Sequence, residues 1–520
     1  MVYTQKTPAT LIMGVIFAVY GYAVKAGMLG GMLSYLKVSK HADEMIAISL
    51  AAGAVGILIG LWQLLSSPSE GHIDYYLSTV AGALFILMVA ATVKWNFAPF
   101  VAVVSKAMGS VGGTGKPIHK LLGLNYVVIG ILTGIVIVNF FKIPSWAENG
   151  VRLSRLGLKT GVILLGSLYS MAELAKLGRL SVVLIGFFVL GSVGMVLWMG
   201  SRRKIPNSMG GVLSAGMGVC GVSATVASAP VVQAKSTEIA YTIGTILLWG
   251  VLMMFIFPPL GHALGLGPVQ FGAWAGTGIL NSAQVAGAAL AFQPDGIETL
   301  KVAEIFNITR VLFLPIIVLW LAVWYVKREE GAQKVNVGQV IVGKFPVFVL
   351  GFILIFSLSS TGLFAPANHY KGKYFDNSNV KASKMLDDEK KAVLQAEASS
   401  VQREDRKAAL DRLIENGKVM SIDDDDALRG LVNAKIMSKD ANKILKKAHK
   451  AVRHTAKRVK KFRQLIVWFF AFGLVGLGMQ ITFSSIKQAG GQPLIIGTIV
   501  GGTKAVGALF VILMFVRETI

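Results

Sequence analysis

The 520-residue sequence is poor in charge. Only 15% of it is Asp, Glu, Lys or Arg, against 54% hydrophobic residues and 58 glycines. With a mean hydropathy of +0.63, this apolar load exceeds what one soluble core hides, so the bilayer is the expected solvent. Cysteine is nearly missing: Cys220 alone excludes an intramolecular disulfide and leaves a cysteine-built metal centre without material. The histidines, His41, His72, His119, His262, His369, His449 and His454, are dispersed without metal-ligand spacing. No cofactor, no metal and no enzymatic activity are therefore expected. A GxxxxGK[ST] phosphate loop is lacking too, since "GGTGKP" at 112–117 has its composition but not its spacing. ATP-driven transport by this chain alone is not expected on that ground.

What is present is a series of apolar runs near 10–34, 44–66, 75–93, 122–142, 159–175, 180–200, 239–260, 302–326, 345–364, 465–486 and 493–516. They predict an all-α integral membrane protein with about 11 spans. The first run lacks a small-residue cleavage site and reads as an anchor, not a removable signal peptide. The net charge of +24 does not mark a nucleic-acid footprint, because residues 366–463 hold 24 Lys/Arg and 14 Asp/Glu and the rest is scattered over short loops. That polar segment ends in a stretch expected to form one long amphipathic helix, with Leu428, Leu431, Val432, Ile436, Ile444, Leu445 and Val452 on its apolar stripe and Asp423–Asp426 at its start.

Two heptads repeat. "SATVASA" from Ser223 returns as "SAQVAGA" from Ser282, and each is followed by a Lys-x-x-Glu-Ile, at Lys235–Ile239 and Lys301–Ile305. A second pair sets "LLGSLYSMAELAKLG" (164–178) against "GLGMQITFSSIKQAG" (476–490), and a weaker one "VVIGIL" (127–132) against "FVLGFI" (348–353). Two related halves in a membrane protein point to an inverted-repeat secondary transporter. The organisation predicted is an N-terminal membrane extension of about three spans (1–120), a transporter core (121–365) containing the repeated units 206–234 and 268–298, a basic helical insert (366–463) and the C-terminal part of the core (464–520).

Arg152, Arg155 and Lys159, then Arg202–Lys204, then Lys327 and Arg328, then Lys487 read as cytoplasmic loop clusters. They agree if 206–234 and 268–298 are re-entrant hairpins dipping in from opposite sides; broken crossing helices are the alternative. Each unit would break at Gly221-Val222 or Leu280-Asn281, and Ser223 and Ser282 would cap the second half-helices, with Asn281 an alternative cap. Helix starts carry unpaired N–H groups and partial positive charge, so two of them meeting at the midplane suit an anion. The bland alternative is tight packing of small residues without a ligand. The site predicted comprises Cys220, Gly221, Val222, Ser223, Thr225, Asn281, Ser282, Gln284 and Arg310. Gln284 would orient an oxyanion. Arg310, an intramembrane cation, needs a bound anion or carbonyl groups as partner, because Glu304 lies off its helix face. Lys504 in "GGTKAVG" is a further buried cation.

The stretches "CGVSATVASAPVV", "AYTIGTILLWGVLMM", "FGAWAGTGILNSAQVAGA", "TRVLFLP", "FPVFVLGF" and "GLGMQITFSSIKQAGGQPL" together resemble the YeiH-type sulfate exporter family of bacterial inner membranes, over roughly 120–365 and 464–516. The resemblance implies export of sulfate, sulfite or a sulfonate by alternating access. The N-terminal extension and the insert at 366–463 depart from it. Expected partners are the small anion, the lipid bilayer, a coupling ion (proton or sodium), a second copy forming a homodimer and a protein partner for 366–463; nucleic acid is not among them. The insert is expected outside the inner membrane, on the periplasmic face, by counting crossings. The alternatives are an ion-coupled cation antiporter and a transport-inactive signalling or assembly protein acting through the insert.

Overall fold

The computed structural model describes residues 7–66, 72–110, 117–121, 124–141, 143, 146–169, 171–294, 297–329, 336–344, 346–361, 369–370, 373–378, 380–434, 436–452 and 457–516. The chain is almost wholly helical. It begins with α1 (Ala9–Lys25), α2 (Gly30–Tyr35), α3 (Ala42–Leu65), α4 (His72–Thr92), a π-helical turn at Val93–Phe97 and α5 (Ala98–Ala107). There follow α6 (Ile118–Leu121), α7 (Tyr126–Phe140), α8 (Ala147–Leu165), α9 (Met171–Arg202), α10 (Asn207–Gly218), α11 (Val222–Ser228), α12 (Ser236–Ala263), α13 (Pro268–Gly278), α14 (Ser282–Phe292), α15 (Glu298–Leu312) and α16 (Leu314–Val326). The remainder comprises α17 (Val337–Lys344), α18 (Val347–Ser360), a two-residue antiparallel pair, His369–Tyr370 with Lys373–Tyr374, then α19 (Asp388–Ala396), α20 (Glu404–Asn416), α21 (Ile422–Ala434), α22 (Lys439–Ala451), α23 (Lys457–Gly478), α24 (Phe483–Lys487) and α25 (Gly491–Phe515). Among the described residues, seven helices are long and apolar enough to cross a membrane, and four shorter apolar helices accompany them.

Several expected spans shift for physical reasons. The first, 10–34, ends at Lys25, because Gly27 takes a φ of 77°, where L side chains are disfavoured. The span at 159–175 is replaced by α8, so Arg152, Arg155 and Lys159 lie within a helix and not in a loop. Helix α8 then gives way to a 3-10 turn at Gly166–Leu168. The matched segment of the second half breaks at the same place, where α23 ends at Gly478 and Thr482 caps α24.

The compact unit formed by Met1–Val162, Gly178–Val349 and Ile466–Val516 contains both repeated units, and each folds back on itself. In the first, a Cβ on Gly211 would lie 2.7 Å from Val232 Cγ1. In the second, the rings of Phe271 and Phe292 stack with centroids 3.9 Å apart. A straight helix would hold either pair about 31 Å apart. These are hairpins, not crossing helices. Helix α12 links them. Its 28 residues extend about 42 Å; the first hairpin ends at its start, and near its end Gly261 packs on Phe271 and Phe292 at the base of the second. The hairpins thus approach from opposite ends of α12 and meet at its middle.

The other compact unit, Ile163–Leu177, Leu350–Leu465 and Arg517–Ile520, holds most of the polar insert. Within it Tyr169 packs edge-on against Phe352 with centroids 5.4 Å apart, and Ser359 Oγ donates to the Ser167 carbonyl at 2.9 Å. Helices α19 to α22 enclose a core of their own, including Leu394, Leu410, Leu413, Leu428, Leu431 and Leu445. The single long helix expected here is three, α21, α22 and the start of α23. Ser438 caps α22 by accepting from the Ala441 N–H, and Ile436 falls in the exposed connection. The Asp423–Asp426 run does open a helix, α21, where Asp424 pairs with Arg412 and Asp425 with His449.

Candidate functional site

The hairpins touch through their breaks. The Cys220 carbonyl accepts from the Ser282 N–H at 3.4 Å, and a Cβ on Gly221 would lie 3.1 Å from Asn281 Cα. Gly221, with φ 83°, occupies the N-cap position of α11, and no side chain caps that end. Asn281 caps α14, its Oδ1 accepting from the Ala283 N–H at 3.2 Å. Ser223 and Ser282 are therefore not caps: the backbone turns two residues before Ser223 and one before Ser282. Ser223 lies inside α11 and is exposed, Ser282 opens α14, and Val222 is half-buried. With 7 residues α11 carries little dipole. Thr225 is buried and donates to the Gly221 carbonyl at 3.2 Å.

A broken helix leaves carbonyls without partners, and at membrane depth each must find one. Here buried cations supply them. Lys504 on α25, 3% exposed, donates through Nζ to the Met217 and Gly218 carbonyls at 3.0 and 3.2 Å, closing the end of α10. Arg310 on α15, fully buried, donates through Nη1 to the Ile279 carbonyl at the end of α13. Its Nη2 reaches Asn307 Oδ1 at 3.0 Å and Ser282 Oγ at 3.4 Å. Each cation also offsets the negative end of a half-helix. The sequence offered a bound anion or carbonyl groups as partners for Arg310; a carbonyl, that of Ile279, is among those it meets, and its hydrogen-bonded connection to Glu304 runs through Asn307, which donates to Glu304 Oε2 at 3.0 Å.

Gln284 is fully buried, and neither its Nε2 nor its Oε1 has a hydrogen-bond partner among the described residues. It points from α14 to the middle of α12, where Gly250 leaves it room. Gln284 and the Arg310-bound Ser282 lie on different sides of α14. Arg310 Nε is likewise unpartnered. Neither α10–α11 nor α13–α14 contains a carboxylate.

Sequence reasoning missed a third component. Helix α8 packs Leu158 and Ser154 against Gly473 and Gly476 of α23, and Gly150 against Gly82 of α4, both in segments long and apolar enough to cross a membrane. Its other face exposes Arg152, Arg155 and Lys159. Arg155 Nε donates to Gln480 Oε1, just past the end of α23. The spacing i, i+3, i+7 was the signal available in the sequence.

Residues 82–377 match the family described as Conserved hypothetical protein 698. A UPF0324 membrane protein of Nitratidesulfovibrio vulgaris is 36% identical over 404 residues, 77% of this chain and 86% of the relative. A second from that organism is 40% identical over 265 residues, 50% of this chain and 72% of the relative. One from Streptococcus agalactiae is 32% identical over 241 residues, 45% of this chain and 71% of the relative. No solved structure matches. By the match over more than half its length, the chain belongs to the UPF0324 membrane protein family.

Proposed function

We propose that the protein is a secondary transporter moving a small anion of the sulfate, sulfite or sulfonate class outward across the bacterial inner membrane. The hairpin tips would form its alternating-access site. The observation that supports this best is the junction itself: two hairpins without carboxylates meet halfway along α12, backed by the buried cations Arg310 and Lys504 and flanked by a buried amide, Gln284, that has no partner among the described residues. Such a site is positive on balance, and a buried amide left empty-handed suits a polar ligand. A homodimer and a coupling ion belong to the same reading. A cation antiporter fits less well, because it would need carboxylates at the tips.

The test is uptake of radiolabelled sulfate, sulfite and methanesulfonate into proteoliposomes. Saturable uptake of at least one, lost in Arg310→Ala, is expected; no uptake of any by intact reconstituted protein would remove the reading. The insert's own core favours a module separable from transport, so replacing 366–463 with a short linker should leave uptake in place. On the crossing count the insert would lie outside. A Glu415→Cys label in a Cys220→Ser background, at an exposed position that caps no helix, should react with an impermeant reagent from the periplasmic side. Protection there would reverse the topology.

A further inference from the structure

The repeated Lys-x-x-Glu-Ile has two different fates. Glu238 lies at the third position of α12 and closes a capping box, accepting from the Lys235 N–H at 2.9 Å. Helix α15 begins at Glu298, so the matching carboxyl, Glu304, lies mid-helix with no helix end to cap. It is 1% exposed. Among the described residues its side-chain hydrogen bond is with Asn307, and no cation lies within ion-pair distance. An ionised carboxylate can accept about four hydrogen bonds, and a buried one so thinly served is costly to keep charged.

Asn307 joins this carboxyl to the transport site, and its orientation is fixed by chemistry. Arg310 offers only donors, so Asn307 must turn Oδ1 toward it and Nδ2 toward Glu304. The charged groups around the relay are few. Of the helices that pack on α15, α13 and α14 carry no ionisable side chain, α16 has Tyr325 near its far end, and α15 itself opens with Glu298. On α15 itself Lys301 and Arg310 are the cations; Arg179 is the nearest charge on α9, whose Ser181 bonds Thr309, and Lys504 on α25 is the other buried charge at the tips.

We infer that Glu304 is the proton-coupling residue of the anion site proposed above, acting through Asn307 on Arg310. Ionised, it offsets the guanidinium and the anion is weakly held. When a proton from water neutralises it, Arg310 keeps its charge and the anion becomes the compensating partner, so anion and proton bind together. Sodium is disfavoured as the coupling ion, because the group facing the carboxyl is an amide NH2, a donor that cannot ligate a cation. By linkage the dependence is reciprocal: anion affinity is highest at acid pH and falls as pH rises through the titration of Glu304, by about tenfold per unit.

The test is equilibrium binding of radiolabelled sulfate, sulfite and methanesulfonate to the full-length protein from mildly acid to mildly alkaline pH, with proton uptake followed by a dye in weak buffer. Wild type should take up about one proton per anion bound on the alkaline side. Glu304→Gln, neutral and isosteric, should bind as wild type does in acid at every pH and take up no proton. Glu304→Asp should keep the pH dependence with a displaced midpoint. A Glu304→Gln profile matching wild type would overturn the inference, as would loss of binding in a Glu304→Gln protein that is monodisperse with an unchanged Tm. Wild type that binds none of the three anions at any pH defeats the anion reading itself and this inference with it.

Discussion

Gln284 holds two buried polar atoms without a partner among the described residues, an arrangement that costs about 1–3 kcal/mol. Gln284→Met fills similar volume without that cost. It should raise the thermal stability of the detergent-solubilised protein while reducing anion uptake at least tenfold; a lower Tm would show that the amide has a structural role. Arg310 presents the converse case. Its planar fork serves Ile279, Asn307 and Ser282 at once, which a lysine cannot do. Arg310→Lys keeps the charge yet should weaken anion binding by tenfold or more, about 1.5–3 kcal/mol. Unchanged affinity would reduce the residue to a point charge. Much of this site was legible in the sequence, because an arginine inside an apolar run demands a partner. The caps were not. A hydroxyl beside a turn resembles a cap, but the cap is set by where the backbone turns, and Gly221 turns it before Ser223 is reached.

At the level of elements, both hairpin breaks were readable from glycine-rich approaches followed by small residues, and the structure places them at 219–221 and 279–281. Gly221→Ala would force a φ of 83° on an L side chain and press a methyl against Asn281. A loss of about 1–2 kcal/mol is expected in denaturation of the solubilised protein, with the tips held apart. Glu238→Ala, which opens the capping box of α12, should lower stability by about 1 kcal/mol and leave the pH dependence of binding untouched; a changed profile would mean the two glutamates share a role. Helix α8 was misread because three basic residues lowered its hydropathy below that of a span, although their spacing was helical. The insert was misread for the opposite reason: apolar periodicity continued past Ser438, which starts a new helix.

For the molecule as a whole, the excess of positive charge divides between the insert and the membrane part, and only the latter bears on the anion. The central claim is that the hairpin junction is where the anion binds and where the protein opens. Cys220, the sole cysteine, lies in that junction at 6% exposure, its carbonyl bonded to Ser282 across the two hairpins. A thiol reagent can therefore reach it only when the tips part. The most direct measurement is the rate of Cys220 alkylation in reconstituted protein as sulfate, sulfite or methanesulfonate is titrated in. The account predicts that a transported anion slows the reaction, with half-maximal effect at the concentration that half-saturates transport. A rate indifferent to an anion that the protein demonstrably transports would place the binding site elsewhere.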